Sequence, residues 1–218
     1  MDKTKLYIQG VLDAYAHGLF PMAQDREDTG FYWFDPPHRG QLSIENLHIP
    51  ARLRRSLLQF PYAIKINTAF EQVIHACAEP APNRPQSWIN QDIATLFLDL
   101  HKAGFAHSIE AWQKNTLVGG LYGLALGGAF MGESMFSRAR DASKIALVHL
   151  CARLWKGGFV LLDTQYVNDH LKQFGAYEIP RTDYLEKLTQ ALKIRADFIL
   201  AGQDEKSLVL EYSASHIK

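Results

Sequence analysis

LVGGLYGLALGGAFMGESMFSRARDASKIALVHLCARLWKGGFVLLDTQ, residues 117–165, is the stretch whose reading decides the fold. Its first part reads as two strands joined at Gly127-Gly128, because glycine accepts the positive φ angles of a tight hairpin at little steric cost. DASKIALVHLCARLWKGG, 141–158, reads as an amphipathic helix with Asp or Ser as its start signal and Gly-Gly as its stop. FVLLDTQ, 159–165, is a short and mostly apolar strand. A helix over VNDHLKQFG, ending at Gly175, and another over RTDYLEKLTQALK after Pro180 complete an α/β unit of hairpin, helix, strand and helix.

Upstream, residues 4–17 carry Leu6, Ile8, Val11, Leu12 and Tyr15 at mostly helical spacing, with Gly18 to end the helix and Pro21 to prevent its resumption. Residues 19–40 hold prolines and the run Phe31-Tyr32-Trp33-Phe34, an aromatic-rich loop or short-strand region. A short helix over 49–60 begins at Pro50 and carries Arg52, Arg54 and Arg55. A strand over 62–66 and a helix over 68–78 follow. EPAPNRPQ, 79–86, is the clearest linker-like break. A helix over 90–103 and a strand over 107–113 lead into the hairpin. The expected fold class is α/β (α+β), with a small unit over 1–60 and a larger one over 61–218.

The chain has 218 residues, and Lys+Arg and Asp+Glu both number 23, so no global charge draws it to nucleic acid and any basic surface is local. The two cysteines, Cys77 and Cys151, lie far apart in apolar helical patterns, which argues against a disulfide framework and a zinc site. No apolar run approaches the roughly 20 residues of a membrane span. A cytoplasmic protein without a metal is expected.

No Walker loop, dinucleotide fingerprint or nucleophile elbow is present. Two polar constellations stand out instead. Glu133 and Ser134, with Ser137 and Arg138, lie at the outgoing end of the hairpin among apolar residues. Strand alternation predicts Glu133, Met135 and Ser137 on one face and Ser134 and Phe136 on the other. A buried carboxylate is costly without a partner, so Glu133 needs either a ligand or an ion pair, with Arg138 the nearest cation. Asp163 and Gln165, two residues apart, share a face at the carboxyl end of a strand, where ligands often bind and where an Asp also serves to cap the next helix. A third group, Arg52, Arg54, Arg55 and Lys65 with the rings at 31–34 and Trp88, would suit phosphates and bases. The same arginines fit an ordinary exposed helix face and the rings a core.

Taken together, FPMA, WFDPPHRGQLSIENLHIPARLRRSL, AFEQVIHACA, LHKAGFAHSIEAW, GGAFMGESMFSR, DASKIALVHL, LLDTQYVNDHL and FGAYEIPRTDYL resemble the bacterial leucyl/phenylalanyl-tRNA–protein transferases, over roughly residues 5–192. GESMFSR, then DASK, then LLDxQ is the most specific part. The resemblance implies an enzyme that moves leucine, phenylalanine or sometimes methionine from aminoacyl-tRNA to proteins beginning with Arg or Lys, creating an N-degron for proteolysis. It implies a C-terminal domain of the acetyltransferase-like (GNAT/Fem-type) fold. No cofactor is implied beyond the aminoacyl-tRNA co-substrate, and a monomer is expected.

By the same resemblance, Asp163 and Gln165 form a relay that draws a proton from the attacking amine, and Glu133 helps position the reacting groups. Leu121, Phe130, Leu150 and Leu154 line the apolar side-chain pocket, with Ser134 and Met135 beside them. The glycine-rich backbone at 127–132 and the Asn168 side chain are candidate oxyanion donors. Trp88 meets the terminal adenosine. Well-known members have Trp after the FP where this chain has Met22, which leaves Trp33 and Phe34 as rings to compensate. Arg52, Arg54 and Arg55 belong to the tRNA-binding set. An acyl-CoA N-acyltransferase of the same fold would want a phosphate-cradling Gly-rich loop before the 141–156 helix, and none is found there. A tRNA- or peptide-binding module without chemistry is the non-enzymatic alternative.

Overall fold

A computed structural model describes residues 3–80 and 86–216. Most of the linker-like 79–86 segment therefore lies outside the described residues. The elements run α1 (Lys3–Ala16), β1 (Phe20–Met22), β2 (Tyr32–Phe34), β3 (His38–Leu42), α2 (Ala51–Leu58), β4 (Ala63–Ile66), α3 (Phe70–Ala78), α4 (Gln91–Lys102) and β5 (Ala106–Gln113). They continue with β6 (Thr116–Leu126), β7 (Ala129–Ser137), α5 (Ala142–Lys156), β8 (Leu161–Gln165), α6 (Asp169–Lys172), β9 (Tyr177–Pro180), α7 (Arg181–Ala191) and α8 (Glu205–His216).

A seven-stranded mixed sheet in the order β4-β5-β6-β7-β8-β3-β9 forms the centre, and β1 and β2 pair separately. The hairpin expected at Gly127-Gly128 is β6–β7, with Gly127 at φ +58°. β7 and β8 run parallel, so α5 crosses between them as a βαβ unit must. β3 comes before residue 60 and is nonetheless an inner strand, antiparallel to β8 on one side and β9 on the other.

Among the described residues two large apolar cores pack on the sheet, beside a small cluster of Ala111, Val118 and Ala142. One gathers Val11, Tyr15, Val73, Phe97 and Tyr184 from α1, α3, α4 and α7 against Met131 and Phe136. The other gathers Leu57, Leu147, Leu150 and Tyr212 from α2, α5 and α8 against Leu121, Phe130 and Leu162. The helix expected to be amphipathic is instead buried almost all round, from Ala142 to Leu154, because α8 covers the side that would face solvent. Asp141 precedes α5 with a left-handed φ of +60° and makes no side-chain cap bond.

Candidate active site

β7 and β8 pair only through Ala129–Met131 and Leu161–Asp163. Beyond that point β7 stays with β6, β8 stays with β3, and the parallel strands part. A cavity of about 720 Å³ opens between them, walled by Gly132, Glu133 and Ser134 on one side and Thr164, Gln165 and Tyr166 on the other. The carboxyl ends of parallel strands are where α/β sheets place their ligands.

Glu133 owes its position to a β-bulge. Tyr122 pairs with Ser134 and Gly123 with Gly132, so Glu133 is the extra residue in β7. The bulge reverses the alternation after it: Phe136 joins the same core as Met131, while Met135 packs into the opposite core with Phe130. The expected shared face of Glu133 and Met135 is thereby overturned, since one inserted residue re-aims every side chain beyond it. Gly123 permits the close approach, for a Cβ there would stand 2.3 Å from the Met131 carbonyl oxygen.

The carboxyl of Glu133 is buried, and its Oε1 accepts a hydrogen bond from the Tyr15 hydroxyl at 2.9 Å. Its Oε2 has no hydrogen-bond partner among the described residues. The Gln165 side-chain amide faces this carboxyl and, like the Tyr15 hydroxyl, helps to hold its pKa down. Burial pushes the Glu133 pKa from 4.5 up to about 8; the Tyr15 hydroxyl opposes the rise and the Asp163 charge adds to it. The anticipated ion pair with Arg138 is not formed, because Arg138 turns to Glu79 at 2.7 Å.

Asp163 sits behind the cavity wall, fully buried, with both oxygens engaged. Arg39 donates from Nε to Oδ1 at 3.0 Å and from Nη2 to Oδ2 at 2.7 Å, Tyr184 donates its hydroxyl to Oδ2 at 3.0 Å, and the Gln165 backbone N–H donates to Oδ1 at 2.8 Å. Arg39 lies 4.5 Å from the ring centroids of both Phe20 and Tyr184. Burial pulls its pKa down, but the Asp163 carboxylate outweighs that and the net shift is upward. A buried pair of this kind is demanding to break from one side, because the remaining charge is stranded.

At Gln165 the strand alternation ends, for its φ is +60°. The side chain enters the cavity wall, so Asp163 and Gln165 do not present side by side to a ligand as expected. Asn168 caps α6, its side chain accepting the Leu171 N–H at 2.9 Å, which leaves its NH₂ as the donor group at the cavity.

Of the expected pocket residues, Leu121, Ser134, Met135 and Leu150 line the cavity. Phe130 and Leu154 are fully buried behind that lining, and Phe130 stacks on Phe198 at 5.3 Å. Met22 and Trp88 line the same cavity. Trp33 meets Phe31 and Tyr15 edge-on and Phe34 stacks on Phe20; both rings stay more than a third exposed and neither lines the cavity. Arg52 and Arg55 line a separate hollow of about 520 Å³ with Arg140 and Tyr62, and Arg54 is exposed on α2. Tyr15, Arg39, Tyr184 and Tyr166 were not singled out by the sequence reading; the first counted only as an apolar helix position, and Arg39 lies 124 residues from the carboxylate it binds.

Cys77 and Cys151 are free and buried, and burial pushes the Cys151 thiol up to about 12. Among the described residues no group of three or more His, Cys, Asp or Glu side chains is arranged to hold a metal ion, and no helix is long and apolar enough to cross a membrane.

A family model described as leucyl/phenylalanyl-tRNA protein transferase matches residues 41–189, and one for the N-terminal domain of that family matches residues 5–37. The chain is 55% identical over 192 residues to the leucyl/phenylalanyl-tRNA–protein transferase of Phenylobacterium zucineum (strain HLK1), covering 88% of this chain and 87% of that protein. It is 56% identical over 188 residues to the protein of the same name from Paramagnetospirillum magneticum, covering 86% and 90%. With the protein of that name from Hyphomonas neptunium the identity is 54% over 190 residues, covering 87% and 74%.

Proposed function

We propose, for a chain that belongs to the leucyl/phenylalanyl-tRNA protein transferase family, that the cavity between the parting strands receives the aminoacylated 3′ end of leucyl- or phenylalanyl-tRNA and delivers the aminoacyl group to the amino terminus of a protein. The observation that carries this reading is the bulged, buried Glu133, with one oxygen unpartnered among the described residues, in a cavity walled largely by apolar side chains.

An aminoacyl ester is already activated, so the protein has to hold two substrates in attack geometry and manage one proton. As the amine nitrogen bonds to the carbonyl carbon, the C–O bond to the ribose breaks. The proton released by the amine ends on the ribose 3′ oxygen. An α-amino group has a pKa of about 7.7–8.0, so a useful fraction is neutral near pH 7. A carboxyl raised to about 8 is matched to exchange a proton with such a group. We assign that exchange to Glu133 and the orientation of the reacting groups to the Gln165 amide. Asp163, whose oxygens are taken by Arg39, Tyr184 and the Gln165 backbone, is a positioning residue that holds the end of β8 in place.

Leu121, Met135 and Leu150 support an apolar acyl pocket. Such pockets separate side chains differing by a methylene by only about 1–3 kcal/mol, so overlapping use of leucine, phenylalanine and methionine is expected. The reading extends to acceptors beginning with Arg or Lys, to an N-degron product in the cytoplasm, to Arg52 and Arg55 as phosphate contacts, and to a monomer that uses no cofactor. It keeps the two-unit organisation, 1–60 and 61–218, with the first unit lending β3 to the sheet of the second.

Glu133→Gln should lower kcat for transfer from leucyl-tRNA to an Arg-initiated peptide while changing the donor KM little. Unimpaired transfer by this variant would return Glu133 to scaffolding.

A further inference from the structure

The turn at the end of β8 holds a ring at the cavity mouth that neither the aminoacyl pocket nor the proton exchange uses. Tyr166 lines the cavity while remaining 45% exposed. Its backbone N–H donates to the Thr164 carbonyl at 2.7 Å across Gln165, whose φ is +60°, a three-residue turn of the strained kind. The Thr164 hydroxyl donates to the Tyr166 carbonyl at 3.3 Å. On the neighbouring strand, Gly40 allows this fold-back, since a Cβ there would stand 2.7 Å from the Tyr166 carbonyl carbon. The ring meets buried Phe20 edge-on at 5.7 Å. A ring fixed in this way loses little freedom when a ligand packs on it.

We propose that Tyr166 is a substrate-binding residue whose ring packs against the terminal nucleobase of the tRNA donor. The proposal rests on the transferase reading and adds a contact to it. Tyr166 follows Gln165 directly, about 3.8 Å away between Cα atoms, and the base is joined through one ribose to the ester that Gln165 and Glu133 attend. Tyr166 thus lines the same cavity as those two side chains, within reach of a base that one ribose joins to the ester. The rest of the mouth agrees: Met22 and Trp88 line it too, and the Trp88 carbonyl accepts the Ala23 N–H at 3.3 Å, next to Met22. β1 thus carries Phe20, the support of Tyr166, at one end and Met22 at the other. Met22 offers sulfur and no ring, and Trp33 and Phe34 do not line the cavity, so Tyr166 adds an aromatic face to that of Trp88. Every base has a π face, and stacking on it does not need a charged partner.

The test compares the wild-type protein with Tyr166→Ala, Tyr166→Leu and Tyr166→Phe in transfer from phenylalanyl-tRNA to a saturating Arg-initiated peptide. Loss of the ring in the Ala and Leu variants should raise the donor KM by about 5- to 150-fold with kcat nearly kept, and Tyr166→Phe should stay close to wild type. The acceptor peptide KM should not move. A donor whose terminal nucleotide is abasic should be insensitive to the Ala substitution. Binding of 3′-phenylalanylamino-adenosine, read by tryptophan fluorescence, gives the same comparison without turnover. An unchanged donor KM in a wild-type-like background overturns the proposal, as does a change confined to the acceptor KM, which would assign the ring to the peptide. Equal sensitivity of the abasic donor overturns it too. Absence of transfer by the wild-type protein counts against the transferase reading, and the adenosine-analogue binding then still decides the Tyr166 contact.

Discussion

Replacing Glu133 by glutamine should stabilise the protein, and increasingly so as the pH rises. In the folded chain burial lifts the Glu133 pKa from 4.5 to about 8. Between those values the native state keeps a proton that the unfolded chain has already given up. Stability falls with pH wherever the native state binds more protons. The cost is therefore small below the unfolded pKa, grows through the window from about 4.5 to 8, and is complete above it. At about 1.4 kcal/mol per pH unit, the wild-type protein should lose on the order of 4 kcal/mol relative to Glu133→Gln between about pH 5 and pH 9. Glutamine keeps an oxygen for the Tyr15 hydroxyl and carries no charge to bury. Urea unfolding of both proteins at several pH values measures the difference directly, provided the m values agree. A difference that stays flat with pH would refute the reasoning, because it would mean that the Glu133 carboxylate is as well solvated in the fold as outside it.

Asp163→Ala should cost about 3–5 kcal/mol in the same unfolding assay, because it strands the Arg39 guanidinium in the interior, and its loss of activity should track that loss of stability. A full loss of turnover at wild-type stability would instead give Asp163 a chemical role. Gln165→Gly should keep or raise stability, by on the order of 1 kcal/mol, since glycine takes the left-handed φ without strain. The same variant should lose transfer, and retained transfer would remove the Gln165 amide from the site.

The parts of the fold that the sequence made legible are those with local signals. The β6–β7 hairpin announced itself by Gly127-Gly128, α5 by its start and stop, and β8 by a short apolar run. The bulge at Glu133 left no such mark, because it is fixed by how residues 122–123 pair with 132–134. Nor does any spacing place Arg39 on Asp163 or Tyr15 on Glu133, which lie 118 residues apart. β3 is too short to show alternation, and its insertion between β8 and β9 is a matter of tertiary pairing. β9 went unassigned for the same reason. α8 did carry a usable signal, since Leu208, Val209 and Tyr212 stand at helical spacing and are the residues it buries. In the site, residue types and strand ends pointed to Glu133, Asp163 and Gln165, but which carboxylate has both oxygens taken up by protein groups depended on partners distant in the chain. Of the rings named from the sequence, Trp88 lines the cavity and Trp33 and Phe34 do not, while Tyr166, which lines it too, carried no signal of its own.

The most direct measurement is the transfer reaction itself: purified protein, leucyl- or phenylalanyl-tRNA with a labelled amino acid, and a peptide beginning with Arg, with the product read by mass. Addition of one leucyl or phenylalanyl residue to the peptide amino terminus, strongly reduced in Glu133→Gln, is the expected result. A folded protein that binds the aminoacyl-tRNA but leaves the peptide unmodified would contradict the account.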